Sequence, residues 1–310
     1  MKVGVSIPHF GPLASPQFVI DFCRLAESAG FDSVWAADHV VVPAQFESEY
    51  VLPATPKRFA FADMQATMGL NLEMNTTLAI ASAVTQRVRL CTGIAILPIR
   101  NPVLNARQVA SIDLYSGGRV LYGVGVGWLK EEAEAMGMPW DRRGRRVDEQ
   151  ISLLRTLWSA TGDTVEFAGE FYRVPAISPD PRPVQRPIPI LIGGHSDAAL
   201  DRAARLGDGW IAAGMGPERL KEGMDRLRAA CGRAGRDPDK LQIVNGERSD
   251  VQLDAESIDV KNQARRVVDA LNMYESMGVT HMKAGIRAAD ATSVLRMIEC
   301  YGSEVLPALR

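Results

Sequence analysis

Residues 88–128, VRLCTGIAILPIRNPVLNARQVASIDLYSGGRVLYGVGVGW, contain one complete strand–helix–strand unit. Val88–Leu97 is an apolar run without strict alternation, the pattern of a parallel strand buried on both faces. Pro102 stands at the first turn of a helix over Val103–Tyr115, where its missing N–H is no loss. Arg119–Val126 then resumes as a strand.

The same rhythm runs through the rest of the chain. Val3–Ile7 reads as a strand and Pro16–Ala29 as a helix with Phe18, Phe22, Leu25 and Ala26 on one face. Gly30 sits where a helix C-cap is wanted, and Ser33–Ala36 is the next strand. Arg145–Ser159 spaces Val147, Ile151, Leu154 and Trp158 for one helical face. Ile188–Ile192, Trp210–Ala213, Gln242–Asn245 and His281–Ala284 supply four more short strands, with helices near 197–206, 217–234, 260–277 and 290–309. Eight βα units in 310 residues predict an α/β fold, a (β/α)8 TIM barrel forming a single domain over 1–310. An open doubly wound sheet would use fewer strands and a GxGxxG turn after the first; here that turn is Ile7-Pro8-His9-Phe10-Gly11.

Two insertions interrupt the pattern. Residues 41–71 carry Pro43, Pro53 and Pro56 and the aromatics Phe46, Tyr50, Phe59 and Phe61. A connection of that length is usually functional or disordered, and the aromatics favour a lid or pocket wall. Residues 164–174 read as a hairpin turning at Ala168-Gly169-Glu170.

Composition excludes several classes. Thirty-five Lys and Arg against 37 Asp and Glu give a net charge of −2, unlike a nucleic-acid or anionic-membrane binder. Cys23, Cys91, Cys231 and Cys300 form no CxxC and read as reduced thiols. Met1 leads directly into the first strand without a signal-peptide pattern, and no apolar run suits a spanning helix, so a cytoplasmic protein is expected. No HExxH or other metal-ligand spacing and no GxSxG occurs, so neither a metal site nor a serine hydrolase is expected.

In a barrel, chemistry gathers at the C-terminal ends of the strands. Gly193-Gly194-His195-Ser196 ends the fifth strand and opens a helix, a place where backbone N–H groups and the helix dipole can hold a phosphate. Ser196 or Asp197 could equally be the helix N-cap. Gly123, Gly125 and Gly127 alternate with valine before Trp128, which leaves room for a flat ring or, alternatively, relieves a crowded barrel interior. Asp38-His39 pairs a carboxylate with an imidazole, suited to acid–base work or to a structural role. Arg142–Arg146, with Asp148 and Glu149 following, reads as a salt-bridged helix start. Lys283, in the last strand, is where a Schiff-base aldolase could place its amine.

The segments SVWAADHV (33–40), the 88–149 stretch ending in RRVDE, and PIPILIGGHSDAALDRAARLGDGW (187–210) resemble the bacterial luciferase-like superfamily, in particular its coenzyme F420-dependent oxidoreductase branch. The resemblance runs from Lys2 to about Trp210 and faintly to Glu304–Pro307. It implies F420, or alternatively FMN, at the C-terminal mouth. Gly193, Gly194, His195 and Ser196 would hold the phosphate and Gly125 and Gly127 would border the ring. Asp38 and His39 would approach the ring's polar edge or the substrate. A cis non-proline bond in strand three would fall at Gly93-Ile94.

Two departures qualify the resemblance. Trp128 stands where the family's sugar-phosphate dehydrogenases carry glutamate, which argues against that substrate class. Glu73-Met74 replaces the family's usual Asp-Pro before the helix preceding strand three. The expected activity is hydride transfer between F420 and a small organic substrate. His39 would be the proton donor or acceptor, and Trp128, Phe10, Phe46 and Tyr50 would shape the pocket. The alternatives are an FMN/FMNH2-dependent monooxygenase and a non-catalytic flavin-binding barrel. A homodimer is expected because many members dimerise.

Overall fold

The structure, a computed structural model, describes residues 1–49, 69–212, 214–246, 248–257 and 259–309. Tyr50 and the central part of the 41–71 insertion lie outside the described residues. In chain order the strands are β1 (Lys2–Ser6), β2 (Phe10–Gly11), β3 (Ser33–Ala36), β4 (Leu70–Asn71), β5 (Arg89–Thr92), β6 (Ala95–Ile96) and β7 (Val120–Gly125). They continue with β8 (Val165–Ala168), β9 (Arg173–Ile177), β10 (Ile190–Gly193), β11 (Gly209–Ile211), β12 (Gln242–Gly246), β13 (Gln252–Asp254) and β14 (His281–Arg287).

Strands β1, β3, β5, β7, β10, β11, β12 and β14 pair in that order, all parallel, and β14 pairs back to β1. The sheet therefore closes into an eight-stranded barrel with helices outside, the TIM architecture. Alternation along each strand separates two cores. Trp35, Cys91, Leu121, Leu191, Ile211 and Val244 pack inside the barrel. Their neighbours Val34, Val120, Tyr122, Ile190 and Ile192 pack outward under the helices. Gly4 faces inward because a Cβ there would overlap Ser33 and the Trp35 indole.

Local capping explains where the helices start and stop. Ser15 caps the Pro16–Ala29 helix and Gly30 ends it in the left-handed region. Asn101 caps Pro102–Ser116 by accepting from Val103 and Leu104 N–H, both at 3.1 Å. The helix before strand three runs over Met74–Val84, and Glu73 is its N-cap, accepting from Thr76 N–H at 2.7 Å.

Strands β8 and β9 form an antiparallel pair outside the barrel. The arginine-rich helix start differs from the sequence expectation. Asp148 pairs with Arg202 and Arg205 of the Asp197–Leu206 helix, while Glu149 accepts the backbone N–H groups of Glu170, Phe171 and Tyr172. Arg142 and Arg145 pair with Glu170, and both lie over the Phe171 ring. The partners come from the hairpin and from the Asp197–Leu206 helix, whose positions local helix spacing does not encode.

Candidate active site

At the C-terminal end of strand three, β5 stops at Thr92, the Gly93–Ile94 peptide is cis, and the strand resumes as β6. Ile94 swings into the barrel mouth. A Cβ on Gly125 would overlap its Cδ1, and one on Gly193 would lie 2.9 Å from its Cγ2. The space Gly125 and Gly193 leave is therefore filled by Ile94, which is half-buried and packed on the interior cluster.

Asp38 braces this bulge. One carboxylate oxygen accepts from Ile96 N–H at 2.9 Å and from Arg100 Nε at 2.8 Å; the other accepts from Arg100 Nη2 at 2.6 Å. Arg100 also reaches Glu73 at 3.0 Å, tying strand two, strand three and the Met74–Val84 helix together. Burial alone would lower the Arg100 pKa, but the Asp38 carboxylate reverses this and holds it above its ordinary value. Asp38, 3% exposed and committed on both oxygens, is placed to anchor rather than to meet a ligand.

His39 lies in a different setting. Its Nδ1 is 2.8 Å from Glu132 of the short Lys130–Ala135 helix, and its ring meets Trp128 edge-on at 6.1 Å. Phe46 meets the other side of this aromatic corner, 6.4 Å from Trp128. The same helix grips the following loop. Glu132 accepts from Val40 and Val41 N–H at 2.6 and 3.1 Å. Its neighbour Glu131 accepts from Glu47 N–H and the Ser48 hydroxyl at 2.6 and 2.7 Å. Successive residues on a helix diverge by about 100°, so the two carboxylates hold two different stretches of one wall.

The loop after β10 leads into the Asp197–Leu206 helix. Ser196 caps the Asp197–Leu206 helix, its hydroxyl accepting from Ala199 N–H at 3.2 Å. Among the described residues, no protein group accepts from the N–H of Asp197 or Ala198. Gly194 has φ +124°, and a Cβ there would lie 2.9 Å from Ala199 Cβ, so only glycine serves. Trp210 Nε1 donates to the Gly194 carbonyl at 2.8 Å and pins the loop from β11. Arg226 neutralises Asp197, the one carboxylate in the helix's first turn.

The remaining sequence candidates sort by their contacts. His9 is buried: Nε2 accepts from Ala37 N–H at 2.9 Å and Nδ1 lies 3.0 Å from the Leu72 carbonyl, so it is a structural strut. Phe10 packs on His9 and pairs with Asn71, whose amide donates to the His39 carbonyl. Lys283 is buried inside the barrel with its ammonium 5.6 Å from the Trp35 ring centroid. Arg100, Glu131, Glu132 and Trp210 escape sequence reasoning. Their partners lie far away in the chain, and KEEAEA (130–135) reads locally as an exposed polar helix.

Comparison with known proteins adds to this geometry. The family model described as luciferase-like monooxygenase matches residues 1–293. An uncharacterized protein of Mycobacterium tuberculosis is 38% identical over 271 residues, covering 87% of this chain and 85% of that one. The FMNH2-dependent dimethylsulfone monooxygenase of Pseudomonas putida is 37% identical over 186 residues, covering 57% of this chain and 50% of that one. Among solved structures, the coenzyme F420-dependent tetrahydromethanopterin reductase of Methanopyrus kandleri superposes with a TM-score of 0.73 at 18% identity, covering 100% of this chain and 99% of that one.

Proposed function

This chain belongs to the luciferase-like monooxygenase family, and we propose that within it the protein transfers a hydride between F420 and a small organic substrate. Family members are flavin- or deazaflavin-dependent oxidoreductases and monooxygenases, and the chain is an enzyme of that class. The observation that carries the finer reading is the His39 imidazole, held on one nitrogen by Glu132 and bonded by no described residue on the other, beside Trp128. Hydride transfer to or from a carbon bearing oxygen requires a proton to move at that oxygen, and an imidazole is suited to carry it near neutral pH.

The residues present fit a phosphate-bearing ring cofactor. The uncommitted N–H groups at Asp197 and Ala198, with the bare backbone of Gly193 and Gly194, would take the phosphate beside His195 and Ser196. Ile94, framed by Gly125 and Gly193, would support the ring, with Gly93 preceding it in the chain and Gly127 facing Ile96. Bound there, the deazaflavin supplies a carbon that accepts or gives a hydride in a two-electron step. Trp128 and Phe46 wall the pocket, with Phe10 proposed as its further lining, and exclude water from the reacting centre.

Titrating the protein separately with F420 and with FMN tests the assignment. We expect saturable F420 binding, and His39→Ala should reduce turnover about 10²–10⁴-fold with the cofactor Kd unchanged. Tight FMN binding without F420 binding would overturn it. That outcome would favour the second reading, an FMNH2-dependent monooxygenase, which the similarity to the dimethylsulfone enzyme supports. Substrate-dependent oxygen consumption would then accompany turnover. We further propose a cytoplasmic homodimer. The four cysteines are free thiols, as a reducing compartment maintains, and no helix among the described residues is long and apolar enough to cross a membrane.

A further inference from the structure

We infer that Glu132 is a positioning residue that fixes His39 as its Nδ1–H tautomer, so that Nε2 is the nitrogen presented to substrate. This rests on the reading of His39 as the proton carrier. A carboxylate can only accept, so the ring nitrogen 2.8 Å from Glu132 Oε2 must bear the proton. The carboxylate cannot turn away. It is 1% exposed, and its other oxygen is held by the N–H groups of Val40 and Val41, immediately after the histidine. Loop and ring are thus oriented by one buried group.

Nε2 lies on the opposite edge of the imidazole, and no described residue bonds it. The other charged groups around the ring are committed elsewhere. Asp38 is neutralised by Arg100 on both oxygens, Arg100 also engages Glu73, and Glu131 is occupied by Glu47 and Ser48. Glu132 is therefore the anion that responds when His39 takes up a proton at Nε2. It stabilises the imidazolium without itself receiving the proton, and Trp128 limits rotation of the ring. The order of events is simple: Nε2 accepts a proton from a substrate hydroxyl, or in reverse returns it to a substrate oxygen, while Nδ1–H stays on Glu132.

The test uses the cofactor-free protein. Long-range proton–nitrogen NMR of histidine-labelled protein distinguishes the two neutral tautomers, and His39→Ala assigns the signals. We expect the Nδ1–H tautomer in the wild type. Glu132→Gln, whose side chain can donate as well as accept, should release the preference and let the Nε2–H tautomer appear. Glu131→Gln, which loosens the adjoining grip only, should leave the His39 tautomer in place. In turnover, Glu132→Gln should lower kcat more than it changes KM. An Nε2–H tautomer in the wild type, or an unchanged tautomer population in folded Glu132→Gln protein, overturns the inference. If that variant fails to fold, the wild-type tautomer decides alone. The readout is independent of cofactor identity: loss of F420 binding with the expected tautomer would refute the hydride-transfer reading only, and the converse result this inference only.

Discussion

Ile94 occupies the hollow that Gly125 leaves open, with its Cδ1 where a Cβ on residue 125 would have to lie. The alternation Gly123-Val124-Gly125-Val126-Gly127 is thereby explained twice over. The valines pack outward, while the glycines admit strand three's backbone and the Ile94 side chain into the mouth. Gly125→Ala should force Ile94 upward into the space a ring would use. The expected result is a loss of about 1–3 kcal/mol in stability, typical of overpacking, together with at least tenfold weaker cofactor binding. Urea unfolding and cofactor titration measure the two effects. Adding Ile94→Ala should restore part of the stability but not the binding, because the platform is then gone.

Asp38 and His39 are neighbours in sequence with opposite duties, and mutation should separate them. Arg100→Ala strands the Asp38 carboxylate in the interior and is expected to cost about 3–5 kcal/mol, as breaking a buried pair does. His39→Gln keeps a hydrogen-bond donor for Glu132 and should cost only about 1 kcal/mol while abolishing most turnover. Denaturation midpoints and kcat for the two variants check this. A His39 variant as unstable as Arg100→Ala would assign the histidine to the scaffold.

That contrast also shows what sequence can and cannot carry. The barrel was legible because each βα unit announces itself locally: buried strands, Pro102 at a helix start, Gly30 at a helix end. The division of labour between Asp38 and His39 was not, because their partners Arg100 and Glu132 are 62 and 93 residues away. The Met74–Val84 helix left little trace for another reason. MNTTLAIASAV mixes apolar and small polar residues around every face, so no amphipathic period distinguishes it.

His281 provides a pH prediction. Its Nε2 is 2.7 Å from the Ser33 hydroxyl, which accepts from Trp35 Nε1 at 2.7 Å, inside the barrel. Burial, reinforced by Lys2, Arg89 and Lys283, pushes its pKa down to about 3. The unfolded chain binds this proton below about pH 6.5, whereas the native protein refuses it until about pH 3. Stability tied to the neutral ring is therefore complete above pH 6.5 and falls as the pH drops through that window. At pH 4 the loss is about 3 kcal/mol from this group. Urea midpoints between pH 7 and 4 should fall more steeply in the wild type than in His281→Gln. Parallel curves would show that the ring is protonated in the native barrel.

The surface predicts how the proposed dimer forms. The Met74–Val84 helix has no charged side chain, and it adjoins Pro102–Ser116 through the Asn75–Gln108 hydrogen bond at 3.1 Å. On these two helices Ile80, Leu104, Leu114 and Tyr115 are exposed, Tyr115 to 79%. Large apolar side chains exposed on adjoining helices are costly to leave in water, and covering them against a second copy removes that cost. A charge on this face should oppose assembly without disturbing the fold, since these side chains make little contact with the core. Ile80→Asp combined with Tyr115→Glu is therefore expected to convert a dimer into a monomer, read by sedimentation velocity, with the circular dichroism spectrum unchanged. A wild type that sediments as a monomer, or a double variant that remains dimeric, would remove this face from the interface.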